Sequence, residues 1–462
     1  MRRIIPFAAI VGLLFATVAA LPAAAEINGP QLRAGAARVN ITPSIDDLPP
    51  AFVAIHDDIY VRALVLESGP TRAIIVVADV PMIHATFYDE VIGEIAQDFS
   101  VPAEYIVLGT THTHSSLRVA PVEQYINIPN EDELSAEEIE NIRQTILHRI
   151  PVDEGFNARV VAAIYESVHQ AQDNLAPARA GYAAGNAVLV ASRNEWLPSQ
   201  HRIIDGIDRS GTQPVDHTLG VHKFESLTGK PIALLLNYGI EPVVMEGDRI
   251  SGDVPGAASR YLEQQLGEDA VAIFTIGAPE SPLYRVWSKT ERAPETAATI
   301  MNAMGVILGE EALASAAGIG TLSSSLAISA DQQTLRCPGK ITTPRNLRNH
   351  CAYTENSDLP ACEFSDRDVD PVDLAMGLLR IGDVAYVLVN GNVVPALSQK
   401  LRQASPLANT LVMSTVFGPL RFVVDDAAYP LNTYPATDTR AKQGCAEQGL
   451  LNAALDMIKR TR

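Results

Sequence analysis

The sequence predicts an α/β fold: a large central mixed sheet, or sheets, with flanking helices. Three observations carry this. Strand-like and helix-like segments alternate, most of the strands are continuous apolar runs, and three of them stop abruptly in polar loops. Strands of that kind need a covering layer on each face, which strand-helix-strand crossovers supply.

The chain has 462 residues and opens Met1-Arg2-Arg3, runs apolar from Ile4 to Ala20, and reaches Leu21-Pro22-Ala23-Ala24-Ala25 before Glu26. A positive start, an apolar middle and a small-residue cleavage site make a secretory signal peptide over 1–25. The mature protein, 26–462, is then expected outside the cytoplasm, secreted or periplasmic. No later long uncharged apolar run was found to span a membrane. The full chain carries 35 Lys and Arg against 54 Asp and Glu; without Arg2 and Arg3, 33 basic residues remain and the net charge is −21 with His neutral. Such a field argues against nucleic acid and against anionic membrane surfaces, and leaves a small-molecule or neutral lipid substrate open.

Taken in order, Gln31 to Thr42 alternates loosely and closes at Thr42-Pro43, a strand and a turn. Ile59 to Glu67 and Arg72 to Asp79 are two further strands. Phe87 to Phe99 carries Val91, Ile92, Ile95 and Phe99 at helical spacing. Ile106 to Leu108 is again a strand, completing a βαβ unit. Pro121 to Pro151 is acidic and irregular, a lid or surface insertion or a solvated helix, with Ser135-Ala136-Glu137-Glu138 as a helix start. Phe156 to Asn174 is a helix with Val160, Ile164, Val168 and Ala171 on one face. A second strand-rich block centres on Pro231 to Pro242. It continues through Ser251 to Gly256, a helix from Ala257 to Leu266, and a strand from Ala270 to Ile276 that runs into Gly277 to Pro282.

The stretch Gly109-Thr110-Thr111-His112-Thr113-His114-Ser115-Ser116 ends the 106–108 strand in two histidines. In an extended segment residues two apart face one side, so His112 and His114 are expected to point together and could converge on one metal ion, or form a hydrogen-bonded pair at a strand end. A site there lies just beyond a strand's carboxyl end, where open α/β sheets bind ligands.

Cys337, Cys351, Cys362 and Cys445 all fall in the last third. In an oxidising compartment they suggest two disulfides with three possible connectivities, and the segment from Cys337 to Cys362 reads as a long loop pinned by a bridge.

Several pieces in order resemble the catalytic domain of the neutral ceramidases. They are Gly35 to Pro43, Thr111-His112-Thr113-His114-Ser115, Asp216 to Phe224 leading into Lys230 to Asn237, Ser251 to Gly256, and Glu280-Ser281-Pro282; the likeness continues through Tyr386 to Pro395. The resemblance covers nearly all of 26–462 and implies that the C-terminal β-sandwich domain of larger members is absent. It implies a secreted zinc amidase that cleaves N-acyl sphingoid lipids.

The pattern also departs from the family. Glu241 stands where a histidine ligand is expected, Gly391-Asn392 where a Gly-Glu pair binds zinc, and the tyrosine ligand expected near Gly418 is not evident. The resemblance thus implies a rewired zinc site of His112, His114 and Glu241, two imidazoles and a carboxylate with a position left for water. It implies that Ser281 orients substrate or donates to an oxyanion, the alternative being a turn residue before Pro282. Asp253 would brace the site or cap a helix, and Asn392 would border ligand or substrate. The function expected is amide hydrolysis by metal-activated water. The alternatives are a non-catalytic ligand- or lipid-binding relative with a decayed site, or an esterase or lactonase.

Overall fold

The computed structural model describes residues 30–121, 135–147, 152–199, 202–208, 210–267, 269–284, 294–340, 369–414 and 421–461. The expected signal peptide, Cys351 and Cys362 lie outside them. In chain order the first elements are β1 (Leu32–Asn40), β2 (Ala54–Ile55), β3 (Tyr60–Ser68), β4 (Thr71–Ala78), α1 (Ala85–Asp98), β5 (Ile106–Thr110), α2 (Ala136–Leu147) and α3 (Glu154–Asp173). Then come β6 (Ala176–Asn186), β7 (Val190–Ala191), β8 (Asn194–Leu197), β9 (Arg202–Asp205), β10 (Thr218–Ser226), β11 (Pro231–Ile240), β12 (Arg249–Ile250), α4 (Asp253–Leu266), β13 (Val271–Pro282) and α5 (Pro294–Ala317). The last third has β14 (Ile328–Gly339), β15 (Val369–Ile381), β16 (Val384–Val389), β17 (Asn392–Val393), α6 (Pro395–Ala404), β18 (Asn409–Ser414), β19 (Phe422–Val423), α7 (Tyr434–Asp438) and α8 (Ala446–Arg460).

Two sheets stack face to face. The larger has nine strands in the order β5-β4-β3-β1-β6-β10-β11-β13-β7, the smaller four in the order β14-β15-β16-β18. Both are mixed, as expected from the sequence. Successive side chains of a strand point to opposite faces, and that alternation sorts each strand between two cores. Along β4, Ile74, Val76 and Ala78 face α1 and α3, while Ala73, Ile75 and Val77 face the smaller sheet. Along β11, Leu234, Leu236 and Tyr238 lie under α4 and α5, whereas Ala233 and Leu235 turn to the smaller sheet. The smaller sheet's other face, including Val387, Val389 and Val412, is covered by α6 and α8 through Leu397, Leu401, Leu450 and Met457. The layers therefore run helix, sheet, sheet, helix.

Helix α3 buries Val160, Ile164, Val168 and Ala171, the face anticipated from their spacing. Helix α2 opens with a reciprocal capping box: Ser135 N donates to Glu138 Oε2 at 2.9 Å and Glu138 N to Ser135 Oγ at 3.3 Å. Helix α5 is the longest apolar helix described, interrupted by Glu310 and Glu311. By length and composition it is the one helix among the described residues that could cross a membrane. Here its Met301, Met304, Leu308 and Ala312 pack into the core beneath β10, β11 and β13.

The larger sheet is strongly coiled. Strands β1 and β6 share only Arg33↔Pro177 and Ala34↔Ala176, and beyond these pairs the two halves splay. Strand β13 of one half returns against β3, β4 and β5 of the other. A buried ion cluster pins the return: Arg62 lies 2.8 Å from Asp79 Oδ2 on β4's end and 2.8 Å from Glu263 Oε1 on α4.

Cys337 is bonded to Cys445, across a sequence separation of 108. The reading of a loop beginning at Cys337 is corrected, because Cys337 lies in β14, paired with Val372 and fully buried. Closing so long a loop destabilises the unfolded chain by about 5 kcal/mol in the chain-entropy account. Replacing both Cys337 and Cys445 by Ser should lower the unfolding free energy by about 2–5 kcal/mol, measured by urea titration without reductant.

Candidate metal centre

Three parallel pairs, β4 with β5, β11 with β13 and β16 with β18, bring their carboxyl ends to one region. Polar links join them there. Asn237 Nδ2 donates to Thr275 Oγ1 at 3.0 Å and to Val412 O at 2.9 Å, tying β11 and β13 to β18 across the two sheets. The loop after β5 is held by the loop after β11, with His114 N donating to Pro242 O at 3.1 Å. Thr113 Oγ1 donates to Ser251 O at 2.8 Å, and Ser251 N to Ser115 O at 2.7 Å. Gly239 is required where β11 bulges against β13, since a Cβ there would stand 2.3 Å from Ala278 O.

The two histidines do converge, but not through strand alternation. Strand β5 stops at Thr110, and His112 takes φ 59°, in the left-handed region. Such backbone strain in a residue with a side chain persists only where its surroundings enforce it. Pro81 O, 2.7 Å from His112 Nδ1, fixes the ring that this backbone turn delivers. A carbonyl only accepts, so Nδ1 carries a proton and Nε2 is the ring atom left to face the cluster. That nitrogen lies 3.5 Å from Glu241 Oε1, and His114 Nε2 lies 3.2 Å from the same oxygen. The rings stand edge to face with centroids 5.2 Å apart.

Two ring nitrogens opposed to one carboxylate oxygen need a proton or a metal ion between them. The spacing suits a metal ion. Donor atoms on a tetrahedral zinc with bonds of about 2.0–2.1 Å stand about 3.3–3.4 Å apart, and the three candidate donors all lie within 4.8 Å of one another. Two imidazoles and one carboxylate are donors that zinc accepts, so the residues fit the ion.

Glu241 is 6% exposed. Burial alone would raise its pKa, but Arg193, with His112 and His114, holds the carboxyl well below its ordinary range. Arg193 Nη2 lies 2.8 Å from Glu241 Oε2, and Arg193 Nε lies 3.7 Å from Glu280 Oε2. Its guanidinium sits over the rings of Phe422 and Tyr434, 5.1 and 5.8 Å from their centroids. Glu280 also accepts from Arg193 N at 2.6 Å, yet burial pushes its pKa up to about 7. The guanidinium offsets this only in part because its closer carboxylate is Glu241. Sequence reasoning missed Arg193, which stands alone in a stretch with no periodicity, and passed over Glu280 in favour of its neighbour.

The other expected residues stand on neighbouring elements, and Asn392 reaches a candidate donor. Ser281 belongs to β13, not to a loop, since that strand continues to Pro282 where it meets β7. Its Oγ is buried and has no hydrogen-bond partner among the described residues, like those of Thr111, Ser115 and Ser116. Its neighbour Glu280 accepts Glu241 N through the backbone at 2.9 Å. Asn392 places Nδ2 3.5 Å from His112 Nε2, and its Oδ1 is buried without a partner there. Asp253 begins α4 and stays out of the donor cluster, accepting Met245 N at 2.8 Å and Val254 N at 2.7 Å. It thereby holds the loop between Glu241 and the helix. Burial raises its pKa to about 7, its backbone donors offsetting this only partly.

Fold and site together define an α/β protein in which parallel strand ends gather a histidine–histidine–carboxylate cluster. Two solved structures share the fold: neutral ceramidase from Pseudomonas aeruginosa, and a ceramidase complexed with C2. For each the TM-score is 0.69 at 15% sequence identity, covering 93% of this chain and 75% of that one. No family model and no curated protein matches the chain.

The raised pKa of Asp253 has a signed consequence. The folded state keeps this proton to about pH 7, whereas the unfolded chain releases it near about 3.9, so the associated stability is present at low pH and lost as pH rises through that window. In Asp253→Asn the fall in unfolding free energy between pH 5 and pH 8 should be smaller than in the native protein. Urea titrations at both pH values, with chelator present, measure it; an unchanged difference contradicts the assignment.

Proposed function

We propose that this protein is an exported, zinc-dependent amidohydrolase acting on the amide of an N-acyl sphingoid lipid or a related amide. The observation that carries the reading is His112 Nε2, its ring fixed by Pro81 O and aimed at the Glu241 oxygen that His114 Nε2 also faces. The fold shared with two ceramidases supports it. On this reading residues 26–462 form one catalytic unit, exported by the segment 1–25.

His112, His114 and Glu241 would hold the ion. Zinc bound there would polarise a carbonyl and lower the pKa of a water to about 7. Arg193 occupies Glu241 Oε2 and so turns Oε1 alone toward the histidines. Ser281 Oγ, buried and without a partner among the described residues, is free to donate to the oxygen on which charge develops. Asn392, beside His112, borders the same space.

His112→Ala and His114→Ala should each lose zinc and hydrolysis together. Ser281→Ala should keep its zinc and lower kcat by roughly 100- to 1,000-fold, the effect of one oxyanion donor. Elemental analysis of the purified proteins, with ceramide and simple amide substrates assayed in parallel, checks both. Stoichiometric zinc retained in either histidine variant would contradict the assignment.

A further inference from the structure

Glu241 has partners on both of its oxygens. Oε1 faces His112 and His114 at 3.5 and 3.2 Å, and Oε2 lies 2.8 Å from Arg193 Nη2. The Arg193 side chain is 7% exposed and cannot swing into solvent, being enclosed by Glu280, Phe422 and Tyr434. A permanent positive charge therefore sits directly behind the carboxylate offered to a metal ion.

We propose that Arg193 is an internal counter-ion of this centre, a positioning residue that holds Glu241 in place without metal and, by its charge, weakens metal binding so that the ion exchanges. The inference rests on the reading of His112, His114 and Glu241 as metal donors. Two effects of Arg193 oppose each other, and their sizes decide the sign. Partners that orient a ligating side chain typically improve metal affinity by about 10- to 100-fold. A unit charge roughly 6 Å from a divalent ion, at an effective dielectric of about 20, reduces affinity by on the order of a thousandfold or more. Repulsion is the larger effect. Removing the charge should therefore tighten binding even though it frees the carboxylate.

The loss of Arg193 also leaves two buried carboxylates without their cation, which destabilises the metal-free protein. The site then depends on the ion for charge balance, so zinc should raise the thermal midpoint of Arg193→Gln by more than that of the native protein. Because the single variant could fail to fold without metal, the double variant Arg193→Gln/Glu280→Gln removes one charge of each sign and serves as the second probe.

The experiment is competition for zinc between the full mature protein and a chromophoric chelator at one pH, using native protein, Arg193→Gln, the double variant and His114→Ala. The expected result is that Arg193→Gln binds zinc at least tenfold more tightly than native protein, with the double variant between them and His114→Ala far weaker than all three. Equal or weaker binding by Arg193→Gln, with native binding intact and His114-dependent, overturns the counter-ion role and leaves the metal centre standing. If Arg193→Gln does not fold, the double variant decides by the same comparison with native protein. If neither native nor variant protein takes up zinc, the metal reading itself falls and the counter-ion role with it.

Discussion

An ionised carboxylate cannot stay buried without a cation beside it, and Arg193 meets that constraint for Glu241. Arg193 stands on one oxygen and the two histidines on the other. Much of the surrounding structure is arranged to keep these four side chains in register. Pro81 O fixes the His112 ring, Pro242 O fixes the backbone of His114, and the backbone of Glu280 fixes that of Glu241. Each of these anchors lies within a few residues of a strand's carboxyl end.

The layered architecture makes this possible. Three parallel strand pairs from two sheets end in one region, and the coiling of the larger sheet brings β13 back toward β3, β4 and β5. Strands buried on both faces have little freedom to slip, because a shift of one residue would exchange every side chain between the two cores. A donor cluster assembled from two loops therefore inherits its geometry from strand register. Asn237, buried where β11, β13 and β18 meet, joins the sheets directly beneath the centre.

The strands and principal helices were legible because their signal is local. Apolar runs such as Arg72 to Asp79, the face Val160, Ile164, Val168 and Ala171, and the Ser135 to Glu138 start all follow from spacing alone. The association of His112 and His114 was legible too, but for an incomplete reason: alternation in a strand was expected, whereas a left-handed turn at His112 delivers the ring. The ring so delivered is held by a carbonyl 31 positions away, which no local pattern reports. Arg193 was invisible on the same ground, since it becomes meaningful only once Glu241, Glu280, Phe422 and Tyr434 surround it. Of the four cysteines, sequence suggested pairing but could not choose partners, and it is the fold that brings Cys337 to Cys445.

The central claim is that the space between His112 Nε2, His114 Nε2 and Glu241 Oε1 belongs to a metal ion and not to a proton. Diffraction from crystals of the mature protein grown with zinc, recorded on both sides of the zinc absorption edge, addresses it directly. The account predicts a single strong anomalous peak about 2.0–2.2 Å from those three atoms, present above the edge and lost below it. A well-ordered centre with no peak there, and with Glu241 bonded directly to a protonated histidine, would contradict it.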